Sequence, residues 1–292
     1  MTDIDHVKNA SPPAHRAPGP EAKAKSESKL PSSLRIGLSR VVPELKMFYR
    51  RPEQLALTFS MPAVICILLG SIFSRKLPDS DISTGAVIAA SMLAYGILST
   101  SFINLGISIA ADRETGALRR LRGTPTTATS YFIGKILLVA VASLAEAVVL
   151  LSVGVLVFKL RLPTDPFGWF TLTWVFLLGI VSCSLLGIFV SNLASNAVSA
   201  AVITNGPAVG LQFVSGTYVP LIALPTWMLT LGSVFPVKWM AQGFRSVLLP
   251  SKMVAFEPAG SWEHWQTFLV LTAWSIGGLF ACIAVFRWSD KK

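Results

Sequence analysis

The chain has 292 residues, 52% of them hydrophobic and only 14% charged, where a soluble globular domain carries about 25% charged residues. That deficit excludes an ordinary soluble protein, and three Cys with no glycine period exclude a disulfide scaffold and a collagen-like repeat. The net charge of +10 sits in short basic clusters between long apolar runs, which points to a membrane surface as the partner and not to nucleic acid.

Residues 1–33 are rich in Ala, Pro, Ser, Lys and Glu and carry too few large apolar side chains to bury a core, so they read as a disordered cytoplasmic tail. With no apolar h-region there, a cleavable signal peptide is not expected. Over residues 34–54, Leu34, Leu38, Val41, Val42, Leu45, Phe48 and Tyr49 share one helix face, while Arg35, Arg40, Lys46, Arg50 and Arg51 lie mostly elsewhere. This pattern predicts an amphipathic helix lying in the headgroup layer, with Pro43 kinking it or opening its second half. The alternative is a cytoplasmic helix packed on another subunit.

Residues 55–292 read as an all-α transmembrane domain. Windows of about 20 apolar residues, the length that crosses the hydrocarbon layer, recur six times. They fall near 55–73, 85–109, 133–158, 167–190, 197–219 and 265–286. A β-barrel would instead show short segments of alternating polarity. With six spans, the segments before the first, between the second and third, and after the last hold 18 of the 25 Lys and Arg, Lys135 included. The positive-inside bias then places both termini in the cytoplasm.

Residues 112–130 join the second and third spans. Asp112 and Glu114 lie at the start of the segment and Arg119, Arg120 and Arg122 at its end, the order that complements a helix dipole. Gly123 and Pro125 supply the stop. A short helix over 112–121 is expected, with Leu118 and Leu121 on one side. A solvated basic loop would explain the arginines but not the stop signals.

Several polar residues lie inside the spans. Ser101, Asn104 and Ser108 in the second follow i, i+3, i+7 spacing, and Asn205 and Gln212 in the fifth follow i, i+7, so each set forms one face. Glu146 is the one ionisable residue deep in a span, and it has to face protein or a water-filled cavity. An interhelical hydrogen bond is the favoured role; a substrate-cation or proton site is the other. Gly206 and Pro207, with Gly210, are expected to kink or loosen the fifth span as a hinge.

From Pro166 to Val237 no Asp, Glu, Lys or Arg occurs in 72 residues, more than two spans consume. Leu221 to Pro236 is only 16 residues, carries Pro225 and Pro236 and follows Pro220, so it is too short and too broken to cross, and 220–238 reads as a re-entrant outer hairpin, approached through Gly216. His6, His15 and His264 are scattered and Cys66, Cys183 and Cys282 lie inside spans, so no metal site is expected.

The segment Arg113-Glu114-Thr115-Gly116, Leu118-Arg119-Arg120-Leu121-Arg122 and Thr124-Pro125, followed by Tyr131 and Gly134-Lys135, resembles the coupling region of the permease subunits of type 2 family ATP-binding cassette (ABC) exporters. It departs at Asp112, where that pattern has Glu, and at Ala117, where it has Thr. Arg51-Pro52-Glu53, Met61-Pro62, Ser215-Gly216, Leu224-Pro225, Phe235-Pro236 and Phe244-Arg245 are similar to the family in order and spacing.

The resemblance implies a bacterial inner-membrane exporter subunit that pairs with a second permease copy and with a separate ATPase. It implies ATPase coupling through Asp112, Arg113, Glu114, Thr115, Gly116, Leu118, Arg119, Arg120 and Leu121, with small Gly116 permitting close approach. It further implies a translocation path lined by Ser101, Asn104, Ser108, Glu146, Asn205 and Gln212. No phosphate-cradling G-x-x-x-x-G-K-[ST] loop occurs, so ATP and Mg are expected in the partner and no cofactor or enzyme activity in this chain. The expected cargo is an amphiphilic drug, a lipid or a glycan. The rival readings are a secondary carrier with Glu146 as proton relay, and a membrane anchor that only recruits a partner.

Overall fold

The computed structural model describes residues 52–74, 76, 82–122 and 128–285. The expected tail and nearly all of the amphipathic segment lie outside the described residues. Every regular element described is helical, and an isolated antiparallel bridge joins Lys76 to Ser83. The helices are α1 (Pro52–Ile72), α2 (Thr84–Leu98), a π-helical turn (Ser99–Asn104), α3 (Leu105–Glu114), α4 (Ala117–Arg122), α5 (Ala128–Phe158), α6 (Pro166–Ser191), α7 (Ala197–Val214), α8 (Thr226–Val234), α9 (Pro236–Leu248) and α10 (His264–Val285). Short 3₁₀ turns occupy Leu221–Ala223 and Ser251–Phe256.

Local chemistry sets the helix starts. Ser83 accepts from the Ala86 amide at 3.2 Å to cap α2, and Asp165 accepts from Gly168 at 2.8 Å to cap α6, with Pro166 in its first turn. Asn196 and Ser199 form a reciprocal capping box at α7.

Five helices among the described residues are long and apolar enough to cross a membrane: 84–114 (α2, the π turn and α3 together), 129–158, 166–191, 197–214 and 264–285. The apolar stretch described in α1, Thr58–Ile72, is shorter. The helix over 84–114 has 31 residues, about 46 Å at 1.5 Å per residue.

That long helix is the axis of the bundle. Ile88, Met92, Ile97, Leu98, Leu105 and Ile109 on it are buried, packed against α5, α6 and α9. Gly187 of α6 lets the two backbones touch, because a Cβ there would stand 2.8 Å from the carbonyl oxygens of Ser101 and Phe102. The outward faces of α5 and α10 remain apolar, with Leu144, Val148, Leu156, Trp265, Phe280 and Ile283 exposed. Such faces suit lipid and not water, and with the five long apolar helices they define a multi-pass membrane protein.

Two expectations need correction here. The fifth span ends at Val214 and not near 219, because Ser215 caps it and Gly216 turns the chain at φ 76°. Over 220–238, where a hairpin is expected, the chain forms α8 and opens α9, and α9 continues past the expected bound to Leu248. Charged Lys238 and Arg245 did not stop α9, because it is packed inside the bundle, where both find carboxylates.

Candidate functional site

α3 ends on Asp112-Arg113-Glu114. The Thr115 hydroxyl donates to the Ala111 carbonyl at 2.9 Å, and Gly116 takes the left-handed conformation at φ 71° before α4 begins. A single helix over 112–121 is therefore not formed. The acidic residues close a long helix instead of opening a short one, and the break falls where only glycine adopts the backbone cheaply. A Cβ on Gly116 would meet nothing within 4 Å, so within this chain the turn, and not close packing, requires the glycine.

The three charges before that turn are engaged inside the chain. Asp112 accepts from the Tyr131 hydroxyl at 2.7 Å and pairs with Lys135 at 3.0 Å, and Lys135 also donates to Ser108 at 3.1 Å. Arg113, buried, donates to the Ser191 carbonyl at 2.8 Å and to the Asn192 side chain at 2.9 Å, at the end of α6. Glu114 accepts from the Ala197 amide at 3.0 Å, at the start of α7. One short segment thus ties α3 to α5, α6 and α7 with charge-assisted bonds. Beyond it, Thr115 and Arg120 are exposed while Leu118 is fully buried. The side chains of Arg119 and Leu121, and residues 123–127, lie outside the described residues.

The expected path residues do not form one surface. Ser101 and Asn104 lie in the π turn, which inserts an extra residue per turn and moves them out of register with Ser108. Ser101 is buried with its hydroxyl unpartnered, whereas Ser108 is bound to Lys135. Asn205 is exposed and donates to the Ala201 carbonyl at 2.8 Å, while Gln212, in the last turn of α7, is buried. α7 runs through Gly206 and Pro207 without interruption. Pro220 and Pro225 precede the 3₁₀ turn and α8, and Pro236 opens α9.

Glu146 is fully buried between α5 and α2, with its carboxyl over Gly96, where a Cβ would stand 3.1 Å from its Cδ. Neither carboxyl oxygen has a hydrogen-bond partner in the structure. The interhelical hydrogen bond expected of Glu146 is made one turn away, between Thr100 and Ser143.

The sequence reading missed a buried ion pair. Arg245 of α9 donates Nε to Glu257 at 2.6 Å and Nη2 at 3.0 Å, and its Nη1 reaches Ser91 of α2 at 3.0 Å. Close by, Lys238 pairs with Glu263 at 3.5 Å, and Gln242 donates to the same carboxylate at 3.1 Å. The available signal was the return of charge at Lys238, Arg245, Glu257 and Glu263 after 72 residues without any.

The long buried helix, the apolar outward faces and the charged knot at one helix end define a helical membrane protein. Residues 41–249 match the ABC-2 type transporter family, and the chain belongs to that family as a permease subunit. It is 25% identical over 205 residues to the probable multidrug ABC transporter permease YbhR of Escherichia coli strain K12, and equally to that of strain O157:H7. The alignment covers 68% of this chain and 52% of each relative, so the chain spans about half the length of the curated relatives it matches.

Proposed function

We propose that the chain is the membrane-crossing half of an ATP-driven exporter. In this reading α1 completes six spans, α8 and α9 form a re-entrant outer hairpin, and both termini are cytoplasmic in a bacterial inner membrane. A separate ABC subunit binds ATP and Mg, and its hydrolysis drives an amphiphilic drug, lipid or glycan outward. The name of the YbhR relatives favours the drug-like class.

The observation that carries this reading is the knot at Asp112, Arg113 and Glu114. A push on the turn that exposes Thr115 and Arg120 is delivered at once to α5, to the α6–α7 connection and to the central helix. A solvated loop needs no such bracing. A second copy fits against α7, whose exposed side carries Val198, Val202, Val209 and Phe213. Gly206 and Gly210, four residues apart, have nothing within 4 Å of a Cβ, the small-residue pattern that lets membrane helices approach closely.

The test is co-purification with a candidate ABC ATP-binding subunit, and ATPase and transport rates in reconstituted vesicles. Arg120→Glu should lower substrate-stimulated hydrolysis and export together while thermal stability is unchanged. Wild-type coupling in that variant and in Thr115→Lys would reduce the turn to a solvated loop.

A further inference from the structure

At the end of the bundle opposite Asp112, a cleft of about 850 Å³ opens between the last turn of α1, the first turn of α2, the end of α5 and the 3₁₀ turn after α9. Its floor is apolar, built from Val157, Phe158, Leu248 and Leu249. Its rim carries Lys76, Lys159, Arg161 and Lys252, and no carboxylate lines it among the described residues. Among the described residues, Lys159, Arg161 and Lys252 make no ion pair.

The backbone adds an independent observation. As the chain leaves α5, the Leu160 amide donates back to the Gly154 carbonyl, six residues earlier, at 3.0 Å, and Lys159 lies in the left-handed region at φ 55°. Glycine is the residue that usually takes this position, since a side chain there strains the backbone. Attraction between an ammonium and the C-terminal end of α5 accounts for a lysine near this end. It does not account for Arg161 or for Lys252, which arrives on a different element and adds like charge to the same rim.

We propose that this cleft binds the phosphate of an anionic lipid, with Lys159, Arg161 and Lys252 around the phosphate and an acyl chain along the Phe158, Leu248 and Leu249 floor. Three cations meet where three apolar helices end, which is the depth of the headgroup layer, and an anion removes their mutual repulsion. The site does not depend on the export reading.

The experiment uses the full chain purified in detergent and follows its melting temperature against dioctanoyl phosphatidylglycerol, dioctanoyl phosphatidylcholine and inorganic phosphate. Phosphatidylglycerol should raise the melting temperature and phosphatidylcholine should not, and the effect should weaken in high salt. Each neutralised cation should weaken apparent affinity about fivefold, and Lys159→Gln, Arg161→Gln and Lys252→Gln together on the order of a hundredfold. Lys159→Gly should move two readouts in opposite directions, with a higher melting temperature in the absence of lipid and weaker phosphatidylglycerol binding. Inorganic phosphate that matches phosphatidylglycerol and competes with it would keep the phosphate site and make free phosphate its source. Equal effects of the two lipids, or wild-type affinity in the triple variant, would overturn the proposal. Should the triple variant fail to fold, exposed Lys252→Gln alone decides by its presence or lack of a fivefold loss.

Discussion

Arg113, in the last turn of the central helix, donates to the main-chain carbonyl of Ser191, 78 residues further along the chain, at 2.8 Å. The guanidinium thereby satisfies the open C-terminal carbonyls of α6 that no further turn of helix covers. Arg113→Ala should destabilise the protein by about 2–3 kcal/mol, the range for hydrogen bonds to charged groups plus carbonyls left unsatisfied. Arg113→Lys should recover only part of this, since an ammonium cannot reach Ser191 and Asn192 with a planar fork. Thermal unfolding in detergent reads both, and a wild-type melt for Arg113→Ala would contradict the assignment.

The turn at Gly116 separates backbone from surface effects. Gly116→Ala places a Cβ in open space, so its cost should be the left-handed backbone alone, about 1–2 kcal/mol. Arg120→Glu should cost nothing in stability and should act only on the ATPase. Glu114→Lys is a poor probe of docking, because it also removes the carboxylate that accepts from Ala197.

The buried pair of Arg245 and Glu257 should be the most sensitive site outside the spans. Glu257→Gln leaves a guanidinium buried without its counter-charge and should cost about 3–5 kcal/mol. Replacing both residues with Met should restore much of that loss, because it removes the buried charge with its partner. A double variant as unstable as the single one would show that the pair does more than neutralise itself.

Glu146→Gln should retain most transport. The carboxyl has no hydrogen-bond partner to lose, and an amide fills the same space over Gly96. A proton relay would lose activity with this change, together with any dependence on a pH gradient. Abolished transport in folded Glu146→Gln protein would favour the carrier reading.

Orientation is checked by cysteine labelling. Cys66, Cys183 and Cys282 are all buried, so they are poor targets for an impermeant reagent. Arg120→Cys should be protected in intact cells and Lys252→Cys labelled. Glu257, although on the same side as Lys252 in the proposed topology, is unsuitable because it is buried in its ion pair. Labelling at Arg120→Cys would invert the topology.

The span positions were legible from apolar run length, because crossing a bilayer imposes one length on each helix. The helices at 84–114, 166–191 and 264–285 begin within one residue of their expected starts. The caps at Asp165 and Asn196 are equally readable, being local in sequence. What composition could not reveal is which charges find each other. Arg113 with Ser191, Arg245 with Ser91 and Asp112 with Lys135 are pairings made by tertiary packing across 78, 154 and 23 residues, and periodicity carries no information about them. The expectation of one helix over 112–121 fails because Thr115-Gly116 fits a helix-dipole pattern as well as a turn. The polar face of the second span was misjudged because a π turn has no composition of its own.

The π turn at Ser99–Asn104 has a mechanical corollary. It holds one residue more per turn than the α-helices on either side, so the Thr84 end and the Asp112 end are out of phase by about one residue, some 100° of rotation. A deletion of one residue within 99–104 would give an unbroken α-helix of better local geometry. It would also swing the Asp112 carboxylate about a quarter turn away from Lys135 and carry Arg113 off the end of α6. In this helix a gain in regularity would be a loss of alignment, and the surplus residue acts as a phase-setting spacer between the two ends of the protein.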